Sequence, residues 1–175
     1  KGAYKLTEEL LNLGHTKIAY LTLFEDMPAT PLRTLGFKDA HEAKGISVEE
    51  ELIKIGVCTD PEDEFAQLPD VLRDIMSRHE RPTAICCGND KMAMRVFMLI
   101  RQMGYKIPQT ISIVGYDNYK LIAENLLPKL STVSLPYFRM GQLAAQIAIN
   151  KELQSHTKTH EISGELLLRG SHSSA

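Results

Sequence analysis

The chain has 175 residues, 43% hydrophobic and 24% charged, the balance of a globular protein with a buried core and not of a disordered tail. Lys and Arg number 20 against 22 Asp and Glu, a net charge of −2, which argues against a compact basic nucleic-acid-binding module as the bulk of the chain. No apolar run approaches the ~20 residues of a membrane-spanning helix, and the opening KGAYKLTEELL carries acidic residues where a secretory signal needs an apolar stretch. The chain starts on Lys with a helical pattern at once, as expected of the cut edge of a longer protein or of a processed one.

Residues 3–13 place apolar side chains at 3, 6, 10 and 13, a helical stripe, and Gly14 stops it. KIAYLTL (17–23) is a short β-rich run. Residues 31–44 predict a helix with Pro31 in its first turn and Gly45 as its stop. ELIKIG (51–56) predicts a second strand. Asp60-Pro61 predicts a helix start, with the helix running towards His79 and bent or restarted at Pro69. TAICCG (83–88) is almost wholly apolar, so both faces of that strand should be buried. Asn89 or Asp90 caps the next helix, which ends at Gly104. ISIVG (111–115) is another buried strand, followed by Tyr116-Asp117-Asn118. A short helical piece, a strand at 130–133 and a helix from 136 to 153 come next. A polar loop leads to a last strand at 160–169 and a Ser-rich end expected to fray. Strands alternating with helices predict an α/β fold with a doubly wound, mostly parallel sheet. Such sheets bind ligands at the carboxyl ends of their strands.

Three polar clusters stand at such ends. Arg33 follows the first strand, Asn89 and Asp90 follow TAICCG, and Asp117 and Asn118 follow ISIVGY. Arg supplies a planar fork of donors, Asp only acceptors, Asn both, a set suited to vicinal hydroxyls or a similar polar small molecule. Taken singly, each has a plainer reading: Asn89 or Asp90 as a helix cap, Arg33 as a surface arginine, Asp117 as a turn residue. Their convergence carries the argument. The chain has no GxSxG, P-loop or GxGxxG, and no carboxylate pair spaced for acid–base work. His156 and His160 have i,i+4 spacing but lie in a polar loop, so neither a metal nor a cofactor is expected. The three cysteines, Cys58, Cys86 and Cys87, are odd in number and without zinc spacing; free thiols suit a reducing compartment and hence the cytoplasm. Cys58 lacks the adjacent His or basic group that would activate it as a nucleophile.

KMAMRVFMLIRQMG (91–104) carries a second message. Ala93, Val96, Phe97 and Ile100 form one stripe, while Met92, Met94, Met98 and Leu99 cover much of the rest. Such a helix is buried on both sides, against the sheet and against a partner subunit or a neighbouring helix.

The runs GHTKIAYLT, PLRTLGFKDAHEAKGI, RPTAICCGNDKMAMRVFMLIRQMGYKIPQTISIVGYDN, PKLSTVSLPYFRMGQLAAQIAI and ELLLRGS, in that order, resemble the effector-binding domain of the LacI/GalR family of bacterial repressors. The resemblance implies a periplasmic-binding-protein-like fold of two lobes. Residues 1–132 would form the second lobe, and 133–175 would return to a first lobe that this chain does not contain. The tail from Pro136 would then be poorly ordered, repositioned or docked on another chain. The resemblance also implies a small-molecule effector, a sugar first of all, and a homodimer with Met92, Met94, Met98 and Leu99 at its interface. Operator DNA would be bound through a headpiece absent from this chain; no membrane or enzymatic role is implied. Arg33, Asn89, Asp90 and Asp117 match the family's ligand-gripping positions, and Thr30 and Cys58 fall on its pocket wall. Cys58 stands where many members carry an aromatic residue, Ala29 where Ser or Thr is frequent, and Leu135 where some members are polar, so the wall is more apolar than usual. A free-standing sugar-binding protein of a transporter shares the fold, and a doubly wound enzyme is the other rival.

Overall fold

The computed structural model describes residues 1–150 and 159–175. Its elements follow the alternation in the sequence: α1 (Gly2–Asn12), β1 (Ile18–Thr22), α2 (Ala29–Ala43), β2 (Ile53–Ile55), α3 (Leu68–Met76), β3 (Ala84–Cys87), α4 (Asp90–Gln102), β4 (Ser112–Asp117), α5 (Lys120–Ala123), β5 (Ser131–Ser134), α6 (Tyr137–Ile149) and β6 (Leu166–Leu167). The strands form one sheet in the order β2-β1-β3-β4-β5-β6. Every pairing is parallel except the last, where Thr132 and Val133 of β5 face Leu167 and Leu166 of β6 in antiparallel register. The expected doubly wound, mostly parallel α/β fold is the fold observed.

The period-two alternation of the strands builds two cores. Ala19, Leu21, Ile85, Cys87 and Ile113 point to the face covered by α3 and α4. Ile18, Tyr20, Ala84, Cys86 and Val114 point to the face covered by α1 and α2. Cys86 and Cys87 therefore lie on opposite faces, both thiols free. Truncating a fully buried Leu72 or Phe97 to alanine would cost about 3–5 kcal/mol, transfer and cavity together. Gly14, Gly45 and Gly104 end their helices with φ of 92°, 66° and 87°, the left-handed conformation that glycine adopts without a steric cost.

Three expectations are corrected. No helix starts at Asp60; its carboxylate instead accepts from the amides of Glu62 and Asp63, closing a turn, and the helix begins at Leu68 with Pro69 in its first turn. The last strand is two residues long, not ten. The Ser-rich end does not fray: Ser171 is fully buried, its Oγ donates to the Ile113 carbonyl at 2.6 Å, and its own carbonyl accepts from Ile113 at 2.8 Å. His15 joins that end to the body, hydrogen-bonding Thr83 Oγ1 at 2.7 Å and the Ser173 carbonyl at 2.8 Å. By contrast, α6 has no buried residue. The expected end of that helix at 153 lies outside the described residues.

Candidate functional site

Parallel strands end together, so β1, β3, β4 and β5 deliver their following loops to one edge of the sheet. A cavity of about 650 Å³ opens there, bordered by Asn89, Asp117, Asn118, Tyr119, Ser134, Leu135 and Tyr137, with charged Glu64, Lys91 and Lys120 at its margin. Leu121 and Leu135 give it an apolar wall beside the polar groups, the mixture of a small-molecule site.

Arg33 leaves the first turns of α2 and lies over the Tyr116 ring, 3.9 Å from its centroid. One guanidinium nitrogen donates to the Gly88 carbonyl at 2.6 Å and the other reaches Asp117 Oδ1 at 3.5 Å. Arg33 thus bridges the ends of β3 and β4 and meets the cavity through Asp117. Its side chain is 14% exposed and that of Asp117 28%, so the pair is partly desolvated and stronger than a surface ion pair. Burial pushes the Asp117 carboxyl up, and the Arg33 charge and hydrogen bond oppose it.

Asn89, extended at φ −154°, caps α4: its side chain accepts from the Met92 amide at 2.8 Å. Of the two capping alternatives, Asn89 is the cap. Capping engages Oδ1 and leaves the Nδ2 donors of this half-buried residue at the cavity border.

Asp90 has another task. It is 1% exposed; Oδ1 accepts from the Thr132 hydroxyl at 2.7 Å and Oδ2 from the Tyr119 amide at 2.7 Å. Burial pushes its carboxyl up to about 6; the bonds from Thr132 and Tyr119 pull the other way, the Asp117 charge adds to the rise and the Arg169 charge opposes it. Asp90 borders the cavity, and both its carboxylate oxygens are engaged in holding the cavity wall. Gly115 is glycine for the same reason: a Cβ there would collide with Asp90 Oδ1 and come within 2.9 Å of Leu130.

Thr30 is buried, its hydroxyl without a hydrogen-bond partner among the described residues, and does not border the cavity. Cys58 does not border it either; its thiol donates to the Asp63 carbonyl at 3.4 Å. Met92 is fully buried against Gly56 and Leu68 territory in the core, so it offers nothing to a surface. Met94 and Met98 are 38% and 48% exposed and Leu99 is half-buried. Of the two spaced histidines, His160 is exposed and His156 lies outside the described residues. Among the described residues no cluster of three His, Cys, Asp or Glu could hold a metal, and no helix is long and apolar enough to cross a membrane.

Sequence reasoning missed Tyr137, Thr132 and Arg169. The strand-end rule applied to β5 finds Ser134, Leu135 and Tyr137, because Pro136 starts α6 right at that edge. Arg169 carried no signal beyond an arginine after LLL.

The periplasmic binding protein-like domain family matches residues 7–172. The chain is 35% identical over 173 residues to the HTH-type transcriptional repressor PurR of Vibrio vulnificus, covering 97% of this chain and 49% of that protein. Among solved structures it is similar to a LacI-family transcriptional regulator from Rhizobium etli, with a TM-score of 0.84 at 29% identity over 98% of this chain and 62% of that one. It is also similar to a LacI-family regulator from Enterococcus faecium with bound ribose, TM-score 0.77 at 27% identity over 99% and 63% of the two chains. The chain spans about half the length of the curated relatives it matches.

Proposed function

This chain belongs to the LacI/GalR family of periplasmic-binding-protein-like transcriptional regulators, and on that premise we propose that it forms the effector-binding and dimerising part of a cytoplasmic repressor that senses a small metabolite, a sugar first of all. The observation that carries this reading is the gathering of Arg33, Asn89 and Asp117 at one sheet edge beside a cavity of about 650 Å³. Asp117 accepts from ligand hydroxyls, Asn89 donates, and Arg33 orients Asp117 and takes an acceptor when the ligand enters. Asp90 supports them from within. The ribose bound to the Enterococcus faecium regulator is the kind of ligand such groups suit. The groups at the cavity, donors and acceptors set beside an apolar wall, are those of a binding site, and this supports reading the chain as a sensor.

Leu32, Leu121, Tyr137 and Phe138 are 70%, 71%, 63% and 80% exposed, a surface in keeping with a second lobe that closes over the ligand. α6 would belong to that lobe. Closure acts on DNA only through the ligand's differential affinity for two lobe arrangements, typically ~1–3 kcal/mol of coupling. Met94, Met98 and Leu99 form the dimer face, and operator DNA is held by a headpiece outside this chain.

The test is thermal unfolding of the full effector domain with ribose, other sugars, sugar phosphates and purines. A ligand at a hundred times its Kd adds about 2.7 kcal/mol. Arg33→Ala and Asp117→Ala should abolish the gain. A gain that survives both variants, or turnover of the sugar, overturns the proposal.

A further inference from the structure

Asp117 and Asn118 have φ of 111° and 52°, conformations uncommon outside glycine that Asp and Asn adopt more readily than other residues, at a cost the surroundings must offset. The constraint comes from outside the turn. Asn118 Oδ1 accepts from Arg169 Nη2 at 2.9 Å, while Arg169 Nη1 donates to the Leu130 carbonyl at 2.7 Å. The Arg169 amide donates to Ser131 Oγ at 2.7 Å, which fixes the base of the side chain. The side chain is 17% exposed, with Glu124 at 4.0 Å. One rigid fork therefore spans the residue before β5 and the residue after β4, and these two strands are paired neighbours. The Asn118 amide donates to Thr132 Oγ1 at 3.3 Å, and Thr132 in turn donates to Asp90. The turn is thus held on the β5 side by Arg169 and Thr132 and on the α4 side by Asp90.

We infer that Arg169 is a positioning residue for the site: its guanidinium fork clips the Asp117–Asn118 turn in its left-handed conformation and so aims the Asp117 carboxylate at the cavity and at Arg33. That this carboxylate meets a ligand rests on the function proposed above; the clip itself does not. Lysine cannot replace it, because a single ammonium lacks the planar fork that reaches two acceptors in different directions.

The experiment is NMR on the intact 175-residue chain without ligand. In Arg169→Lys the Asp117 and Asn118 Cα and Cβ shifts should leave the left-handed range. Exchange of the Asn118 and Tyr119 amides should rise about ten-fold or more, as expected for loss of one charge-assisted hydrogen bond. The Asp117 carboxyl titration should move down towards the ordinary range as the turn opens to water. Asn118→Ala removes the acceptor, leaves the Arg169 contact with Leu130 intact, and should give the same signature. Adding Asn118→Gly to Arg169→Lys should restore the Asp117 backbone shifts, since glycine holds positive φ unaided. Unchanged Asp117 shifts and unchanged amide exchange at positions 118 and 119 in Asn118→Ala, or changes spread evenly through the sheet without rescue by glycine, overturn the inference. Loss of the ligand effect at Asp117 is read separately, by thermal unfolding with sugars, so a failed effector reading leaves the clip standing and the reverse also holds.

Discussion

The helix α6 and the segment from Leu166 onward both follow β5, yet the sheet treats them oppositely. α6 has no buried residue, with Phe138 and Ile149 80% and 83% exposed. The closing segment buries Ser171 completely and exchanges hydrogen bonds with Ile113, Ser131, Ser112 and Leu13. By composition the ranking would be reversed, since the helix is rich in Ala and Ile and the last five residues include three serines. Hydrophobicity alone does not say where a segment belongs. A serine pays for its desolvation only by finding partners, and the strand ends here supply them.

The largest way to break this contrast is to cut after Leu168. Several buried hydrogen bonds vanish, each worth about 0.5–1.5 kcal/mol, and Ile113 and His15 lose partners. The chain should lose several kcal/mol or fail to fold in chemical denaturation. Its survival with near-native stability would erase the distinction. Gly115→Ala comes next. Forcing a methyl against Asp90 and Leu130 should cost about 1–3 kcal/mol, read from the denaturation midpoint. The Asp90 carboxyl itself sharpens the account through pH. Its folded pKa of about 6 lies above the unfolded value, so its favourable contribution is full below about 4 and is lost as pH rises through 6. The difference in unfolding free energy between wild type and Asp90→Asn should therefore swing by on the order of 3 kcal/mol between pH 4 and pH 7.5. Taking the difference cancels the histidines: His15, His41 and His172 are held below the usual imidazole range mainly by burial, and withdraw stability as pH falls below about 6.5. A flat difference would mean that Asp90 is not desolvated as its surroundings demand. The smallest effect belongs to α6, where Phe138→Ser and Ile149→Ser should stay within about 0.5 kcal/mol in this chain.

Local signals carried most of the fold. Apolar runs located β1, β3 and β4, the three glycines marked helix ends, and the strand-end rule led to Arg33, Asn89 and Asp117, which the sheet does bring together. What escaped depends on partners distant in sequence. Nothing near Asp90 announces Thr132 and Tyr119, so its hydrogen-bonded burial was not legible. Met92 differs from Met94 only by where the helix turns it. Arg169 reaches Asn118 across 51 residues, a distance over which no periodicity operates. Asp60-Pro61 misled because Asp starts turns as readily as helices.

β6 is only two residues long and runs against its neighbour. A parallel sheet left open at β5 would present a row of unpaired amides and carbonyls, a template on which another molecule can add a strand. The brief reversed strand occupies that margin, and at the opposite margin β2 is three residues long with Lys54 in its middle. Both flanks are thereby blunted against edge-to-edge stacking, and the chain should stay dispersed at concentrations where a bare parallel sheet would aggregate.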